Sequence, residues 1–191
     1  RWWLEYSGGQ VTDWGVHHTD IAMWALGLHE TGPISVEGQG TFDERPNCYN
    51  VAHTFDASMK FKNGSSINLT SGKNELILEG TQGKLRVNRG GITGKIVEEI
   101  KADKSLQEQL AAKIEEVYRG KVTPHMVNFF HCVKNRELPI SDVFTHHRSV
   151  SICHLANIAM QLDRKLDFDP DKQKFHGDDE ANSMLSRKQR P

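Results

Sequence analysis

Several things are scarce in this sequence, and each scarcity removes a class of protein. Cysteine occurs only as Cys48, Cys132 and Cys153. An odd number at long spacings provides neither a disulfide framework nor a Cys-x-x-Cys zinc site. Each thiol is then expected to be a small buried hydrophobe or a surface group. An excess of either charge is also missing: 24 Lys and Arg face 25 Asp and Glu, a net charge of −1. No basic stripe with interleaved aromatics occurs, so no nucleic-acid partner is expected. No run of about 18 apolar residues occurs, so no membrane-spanning helix is expected. Internal repeats and low-complexity segments are absent as well.

What is present reads as ordinary globular sequence, 37% hydrophobic and 26% charged. The length of 191 residues suits one substantial domain and is short for two. The chain opens on Arg1 inside what reads as structured sequence ("RWWLEY") and is expected to be a piece of a longer protein. No signal-like segment occurs. A cytoplasmic location is the expectation, and an exported form stays open.

A first helix is predicted from Asp13 to Leu26, capped by Thr12 and closed by a left-handed Gly27. Trp14, Ile21, Ala25 and Leu28 form its expected apolar face, and Asp13, His17, Asp20 and Trp24 share another. The middle is β-rich. In "VAHTFDASMKF" the residues Val51, His53, Phe55, Ala57, Met59 and Phe61 alternate with Ala52, Thr54, Asp56, Ser58 and Lys60. Asn63-Gly64 reads as a tight hairpin turn. "ISVEGQGTF", "SINLTS", "ELILEG", "KLRVN" and "ITGKIVEEI" complete an expected meander of about six strands.

The remainder reads as helical. Ser105 and Glu108 form a capping box before the stripe Leu106, Leu110, Ile114 and Val117. Thr123-Pro124 starts a helix whose buried side is expected to be Met126, Phe129, Phe130 and Val133. A long, well-buried helix covers roughly Phe144 to Leu162, and Asp178 caps a short last one. This order predicts an α+β fold: an open, mainly antiparallel sheet with helices packed on one face. Its uncovered face, mild in polarity, is an expected homo-oligomer surface near Ala52, Thr54, Asp56 and Ser58.

The chemistry is concentrated in "SGGQVTDWGVHHTDIAMWALG". Asp13 and His17 lie at i and i+4, one helical face apart by a single turn. A carboxylate beside an imidazole raises its proton affinity and fixes its orientation, which suits proton transfer to and from a hydroxyl. A structural Asp–His pair is the competing reading. Gly15 costs about 1 kcal/mol against alanine in a helix, which hints at close approach to the backbone there, as do Gly8 and Gly9. A metal site is not expected, because adjacent histidines such as His17-His18 or His146-His147 point about a hundred degrees apart. His146, His147 and Arg148 could meet an anionic group, though a polar helix start is the simpler reading.

Gly8-Gly9, Asp13, His17, Asp20 and Gly27 resemble the start of the C-terminal domain of the Gfo/Idh/MocA family of NAD(P)-dependent sugar and cyclitol oxidoreductases. "HMVNFFHCVKNRELPISDV", "LILEGTQGKLRV" with Gly80-Thr81 and Gly83 at its turn, and "HHRSVSICHLANIAMQLDRKLDFDP" resemble further family segments in the same order. The resemblance implies a glyceraldehyde-3-phosphate dehydrogenase-like C-terminal domain that supplies most of a substrate pocket and the oligomer interface. By resemblance His17 is the general base or acid, and Asp13 orients it. Trp14, His18 and Asp20 are the expected substrate lining, for a carbohydrate or polyol, with a structural place for His18 as the alternative. Gly8, Gly9 and Gly15 approach the cofactor, NAD or NADP.

The chain departs from that pattern in lacking the family's Rossmann half and its E-K-P lysine. "RGGITGK" lies in the meander, without the strand and helix that a dinucleotide fingerprint needs. These residues alone are therefore expected to bind no dinucleotide and to be inactive. Two alternatives stand beside the oxidoreductase reading: an NAD-dependent glycosidase on the same scaffold, and a non-catalytic ligand-binding or assembly module.

Overall fold

The computed structural model describes residues 1–43, 45–120 and 122–187. The chain separates into two compact units, Arg1–Lys73 with Phe144–Pro191, and Asn74–Val143. The fold is α+β with open antiparallel sheets, as the order of elements predicts.

The first unit holds a five-stranded antiparallel sheet. Its strands are β1 (Ser35–Thr41), β2 (Thr54–Lys60), β3 (Ser66–Thr70), β7 (Leu166–Asp169) and β8 (Lys174–Phe175), in the order β3-β2-β1-β7-β8. Period-two alternation buries Phe55, Ala57 and Met59 of β2 and Ile67 and Leu69 of β3 on one face. The other face presents Gln39 opposite Asp56, Thr41 opposite Thr54 and Ser58 opposite Asn68. The Asn63-Gly64 turn forms as predicted, with Gly64 at φ 87°. Alternation begins only at Thr54, however. His53 is exposed and Ala52 is buried, so Ala52 does not belong to the open face.

Helix α1 (Trp14–Ala25) lies against β3. Its C-terminus is a Schellman motif: Leu28 N–H donates to Met23 O at 2.8 Å, Gly27 N–H to Trp24 O at 3.1 Å, and Gly27 has φ 66°. Its start differs from the prediction. Asp13 occupies the cap position without a side-chain cap bond, and the Thr12 hydroxyl donates to Gly9 O at 3.3 Å. The buried side of α1 is Thr19, Ala22 and Met23, whereas Ile21 and Trp24 are exposed. Helix α5 (Val143–Leu162) is buried almost all round from Ile152 to Met160, as its broad apolar band predicts. Asp178 caps α6 (Asp179–Ser183), accepting from Ala181 N–H at 2.9 Å.

The second unit has its own three-stranded antiparallel sheet of β4 (Leu76–Gly80), β5 (Gly83–Asn88) and β6 (Gly91–Thr93). The expected six-strand meander is thus divided, because β4 pairs with β5 and not with β3. Gly80 pairs with Gly83 around a two-residue turn at Thr81-Gln82. Of the expected strand "ITGKIVEEI", only its start lies in β6, and "KIVEEI" belongs to helix α2 (Lys95–Ala102). Gly94 breaks the strand at φ 149°, and Lys95–Glu99 and Glu98–Lys101 ion pairs have helical spacing. Helix α3 (Lys104–Val117) is capped by Asp103, which accepts from Ser105 and Leu106 N–H, and not by Ser105. In α4 (His125–Asn135) only Cys132 is buried; Met126, Phe129, Phe130 and Val133, the expected buried side, are 48–61% exposed.

Candidate functional site

Helix α1 carries the chemistry picked out from the sequence. His17 is exposed, and its ring stands edge-on to Trp14 with centroids 6.0 Å apart. Asp13 precedes the helix with ψ −89°, so its side chain does not follow the helical i, i+4 geometry. Its carboxylate accepts from the Arg1 guanidinium at 2.6 Å, and no hydrogen bond joins it to His17. The structure therefore places Asp13 and His17 at the same end of one helix without forming the predicted pair. His18 is half-buried on the same helix.

Asp20 is engaged within the protein. Its Oδ1 accepts from the buried Ser149 hydroxyl at 2.7 Å, and His146 Nδ1 lies 3.8 Å away. Thr19, fully buried, meets Cys153 Sγ at 3.7 Å. Burial pushes the Cys153 thiol up to about 12, so it stays protonated. One turn further along, Asn157 Nδ2 donates to Gly8 O at 3.0 Å. His146, Ser149, Cys153 and Asn157 thus form a polar line on α5 at i, i+3, i+7 and i+11, facing the segment from Gly8 to Asp20. Sequence reasoning missed this line. The signal was a row of polar residues at helical spacing inside an apolar band.

The glycines have internal reasons for being glycine. A Cβ on Gly8 would lie 2.5 Å from Thr12 and 2.6 Å from Asn157 Nδ2. One on Gly9, at φ 70°, would lie 2.7 Å from Val51 Cβ. Both are buried, and the space beside each is filled by this chain's own side chains. A Cβ on Gly15 would meet only Gln10 O, at an ordinary 3.5 Å. The residues present do not fit a dinucleotide cradle.

The other polar residues near the start of α5 also have partners. His147 Nε2 lies 2.9 Å from Gln173 Oε1, and Arg148 donates to Pro170 O at 2.7 Å. A cavity of about 780 Å³ runs along α5 past His147, His154 and Phe168, and none of the predicted site residues lines it. Packing around its ring, and then the charge of Arg187, lower the proton affinity of His154. Among the described residues no group of three or more His, Cys, Asp or Glu could hold a metal ion. Among them, too, no helix is long and apolar enough to cross a membrane.

With this geometry in place, comparison with known proteins is informative. No curated protein matches the chain. Solved structures share its fold at low identity. The WlbA dehydrogenase from Bordetella pertussis, solved with NADH and UDP-GlcNAcA, is 16% identical with a TM-score of 0.54, over 85% of this chain and 46% of its own. An NAD-binding protein from Listeria innocua gives 16% and 0.54 over 84% and 51%. The aldose-aldose oxidoreductase from Caulobacter crescentus, solved with glycerol, gives 12% and 0.52 over 81% and 46%. The chain spans about half the length of these structures. Residues 1–191 match the family described as oxidoreductase family, C-terminal alpha/beta domain, and the chain belongs to that domain family of the Gfo/Idh/MocA oxidoreductases.

Proposed function

We propose that this chain is the substrate-binding and oligomerisation part of an oxidoreductase acting on a sugar, cyclitol or related polyol. NAD or NADP belongs to the parent protein and is held by residues outside this chain. The observation that carries the reading is the exposed His17 imidazole on α1, edge-on to Trp14, in a chain of this family. An imidazole titrates near neutrality and can take the proton of a substrate hydroxyl, or return it in the reverse direction. Trp14 and His18 supply an apolar and a polar wall beside it. Asp13 serves the same end of the helix as an anion where the helix dipole favours one. The open face of β1–β3 pairs with a second copy through Thr54, Asp56 and Ser58.

A non-catalytic reading is favoured by one observation, the Arg1–Asp13 ion pair that occupies the carboxylate predicted to serve His17. Kinetics on the full-length protein separates the two. His17→Ala is expected to lose about 10²–10⁴-fold in turnover while NADH affinity stays close to wild type. Asp13→Asn should lose less and move the pH optimum, and His18→Ala should be milder than either. Wild-type turnover in folded His17→Ala establishes the structural role. Calorimetry with NADH on residues 1–191 alone should show no binding; micromolar affinity would overturn the assignment of the cofactor to the rest of the parent. Light scattering should find an oligomer at tens of micromolar, and a monomer would count against the sheet-face interface.

A further inference from the structure

We propose that Ser149 and Asn157 on α5 are positioning residues that hold α1 at two points and so fix where His17 and Asp13 are presented. The inference rests on the assignment of proton transfer to His17. The two contacts join segments far apart in the chain, and both run between side chains of α5 and the α1 region.

Asn157 donates to Gly8 O, in the turn that leads into α1. It is 4% exposed, and no room exists at Gly8 for a Cβ because Asn157 Nδ2 and Thr12 fill that space. The turn is therefore locked from both sides before the chain reaches Asp13. Ser149 is fully buried and donates to Asp20 Oδ1 at 2.7 Å. Its hydroxyl also lies 3.3 Å from Thr145 O, one turn back on α5.

Asp20 lies three residues beyond His17, so it shares a helical face with it. Apolar contacts hold a helix through many individually weak interactions with little directional preference. A short hydroxyl–carboxylate bond is directional and charge-assisted. With one such bond below His17 and a buried amide bond before Asp13, neither the rotation nor the axial position of α1 is free. Misplacement of a reacting group by about 1 Å can cost on the order of 100-fold in rate. This reading also accounts for Asp20: it anchors the helix and is not spent on substrate.

The test is made in the full-length enzyme. Ser149→Ala and Asn157→Asp are expected to lower kcat about tenfold or more, with NADH affinity and the apparent pKa of the pH–rate profile unmoved. Asn157→Asp keeps the shape but replaces the amide donor to Gly8 with a carboxyl group. Asp20→Ala should match Ser149→Ala, and the double variant should be no worse than either, because both remove the same bond. Asp20→Asn keeps an oxygen to accept from Ser149 and should recover most of what Asp20→Ala loses. That rescue pair also carries the test if Ser149→Ala does not accumulate folded. Wild-type kcat in folded Ser149→Ala and Asn157→Asp, alongside a large loss in His17→Ala, overturns the positioning role and leaves His17 standing. A shifted pH profile or weakened substrate affinity in Asp20→Asn overturns it in favour of direct contact. No loss in His17→Ala overturns both.

Discussion

The two units of this chain make opposite use of their apolar residues. In the unit of Arg1–Lys73 and Phe144–Pro191, Met23, Met59, Ile152 and Leu166 are at most 2% exposed. In the unit of Asn74–Val143, the stripes on α3 and α4 remain open: Leu110 and Val117 are each 45% exposed, Phe130 56% and Met126 61%. The patterns that produced both are equally regular. A 3.6-residue apolar period says which side of a helix seeks cover, and it is silent about what supplies the cover. The first unit supplies its own: α1 and α5 meet through matched small and polar residues, and the sheet buries one face. Among its described residues the second unit builds a three-stranded sheet and three helices but closes no core around Phe129 and Phe130. The residues with chemistry, Asp13, His17 and Asp20, all lie in the unit that packs itself.

Truncating the self-packed core is expected to give the largest effect on this comparison. Ile152→Ala removes most of a side chain that is 1% exposed. Such changes cost about 2–5 kcal/mol, and denaturant melts of residues 1–191 should show that loss. A cost near zero would mean that the first unit is no better packed than the second. Gly9→Ala comes next. It places a Cβ 2.7 Å from Val51 Cβ in a residue at φ 70°. The left-handed conformation alone costs an alanine roughly 1–2 kcal/mol, and the overlap adds to it. A destabilisation of about 2 kcal/mol or more is expected, and the same melts check it.

A pH-dependent contribution belongs to the same unit. The Arg164 guanidinium, and after it the Ala181 N–H, hold the Asp178 carboxyl below its ordinary value. A depressed carboxylate pKa stabilises the fold above the unfolded value of about 3.9 and loses that contribution as pH falls through the folded value. Asp178→Asn should therefore lower the melting temperature at pH 7, with the gap to wild type narrowing in melts taken progressively below the unfolded carboxylate value of about 3.9. An undiminished gap there would show that the cap acts through shape and not charge.

How much of this was legible in advance follows the range of each signal. The Schellman end of α1 at Gly27, the Asn63-Gly64 and Thr81-Gln82 turns, the Asp178 cap and the buried α5 are set by neighbours within a few residues, and the sequence pattern displays them. Gly94 could have been read as a break between strand and helix, because its neighbours Lys95 and Glu99 have i, i+4 spacing. The division of the meander, the late strands β7 and β8 and the covering of helix stripes depend on partners chosen across the whole chain. The same holds at the site. Asp13 and His17 were visible as types at a spacing, but Arg1–Asp13, Ser149–Asp20 and Asn157–Gly8 join residues 12, 129 and 149 positions apart. Spacing says which groups could meet; which of several candidates does meet is decided by where α5 crosses α1.

The smallest expected effect sits in the second unit and tests the comparison most directly. Phe130 is an aromatic at a position predicted to be buried and found 56% exposed, touching Phe129 edge-on at 5.6 Å between ring centroids. Buried phenylalanines cost about 3–5 kcal/mol when cut to alanine, whereas surface substitutions stay within about 0.5 kcal/mol. An edge-to-face aromatic pair adds on the order of 0.5–1.5 kcal/mol at most. Phe130→Ala in residues 1–191 should therefore cost less than about 1 kcal/mol, a fraction of the loss in Ile152→Ala. In the full-length protein the same substitution is expected to cost no more if the α4 face stays open there. A loss of about 3 kcal/mol in the full-length protein alone would show that residues outside this chain cover α4. The same loss in residues 1–191 would show that the chain covers α4 itself, and the contrast between the two units would fail.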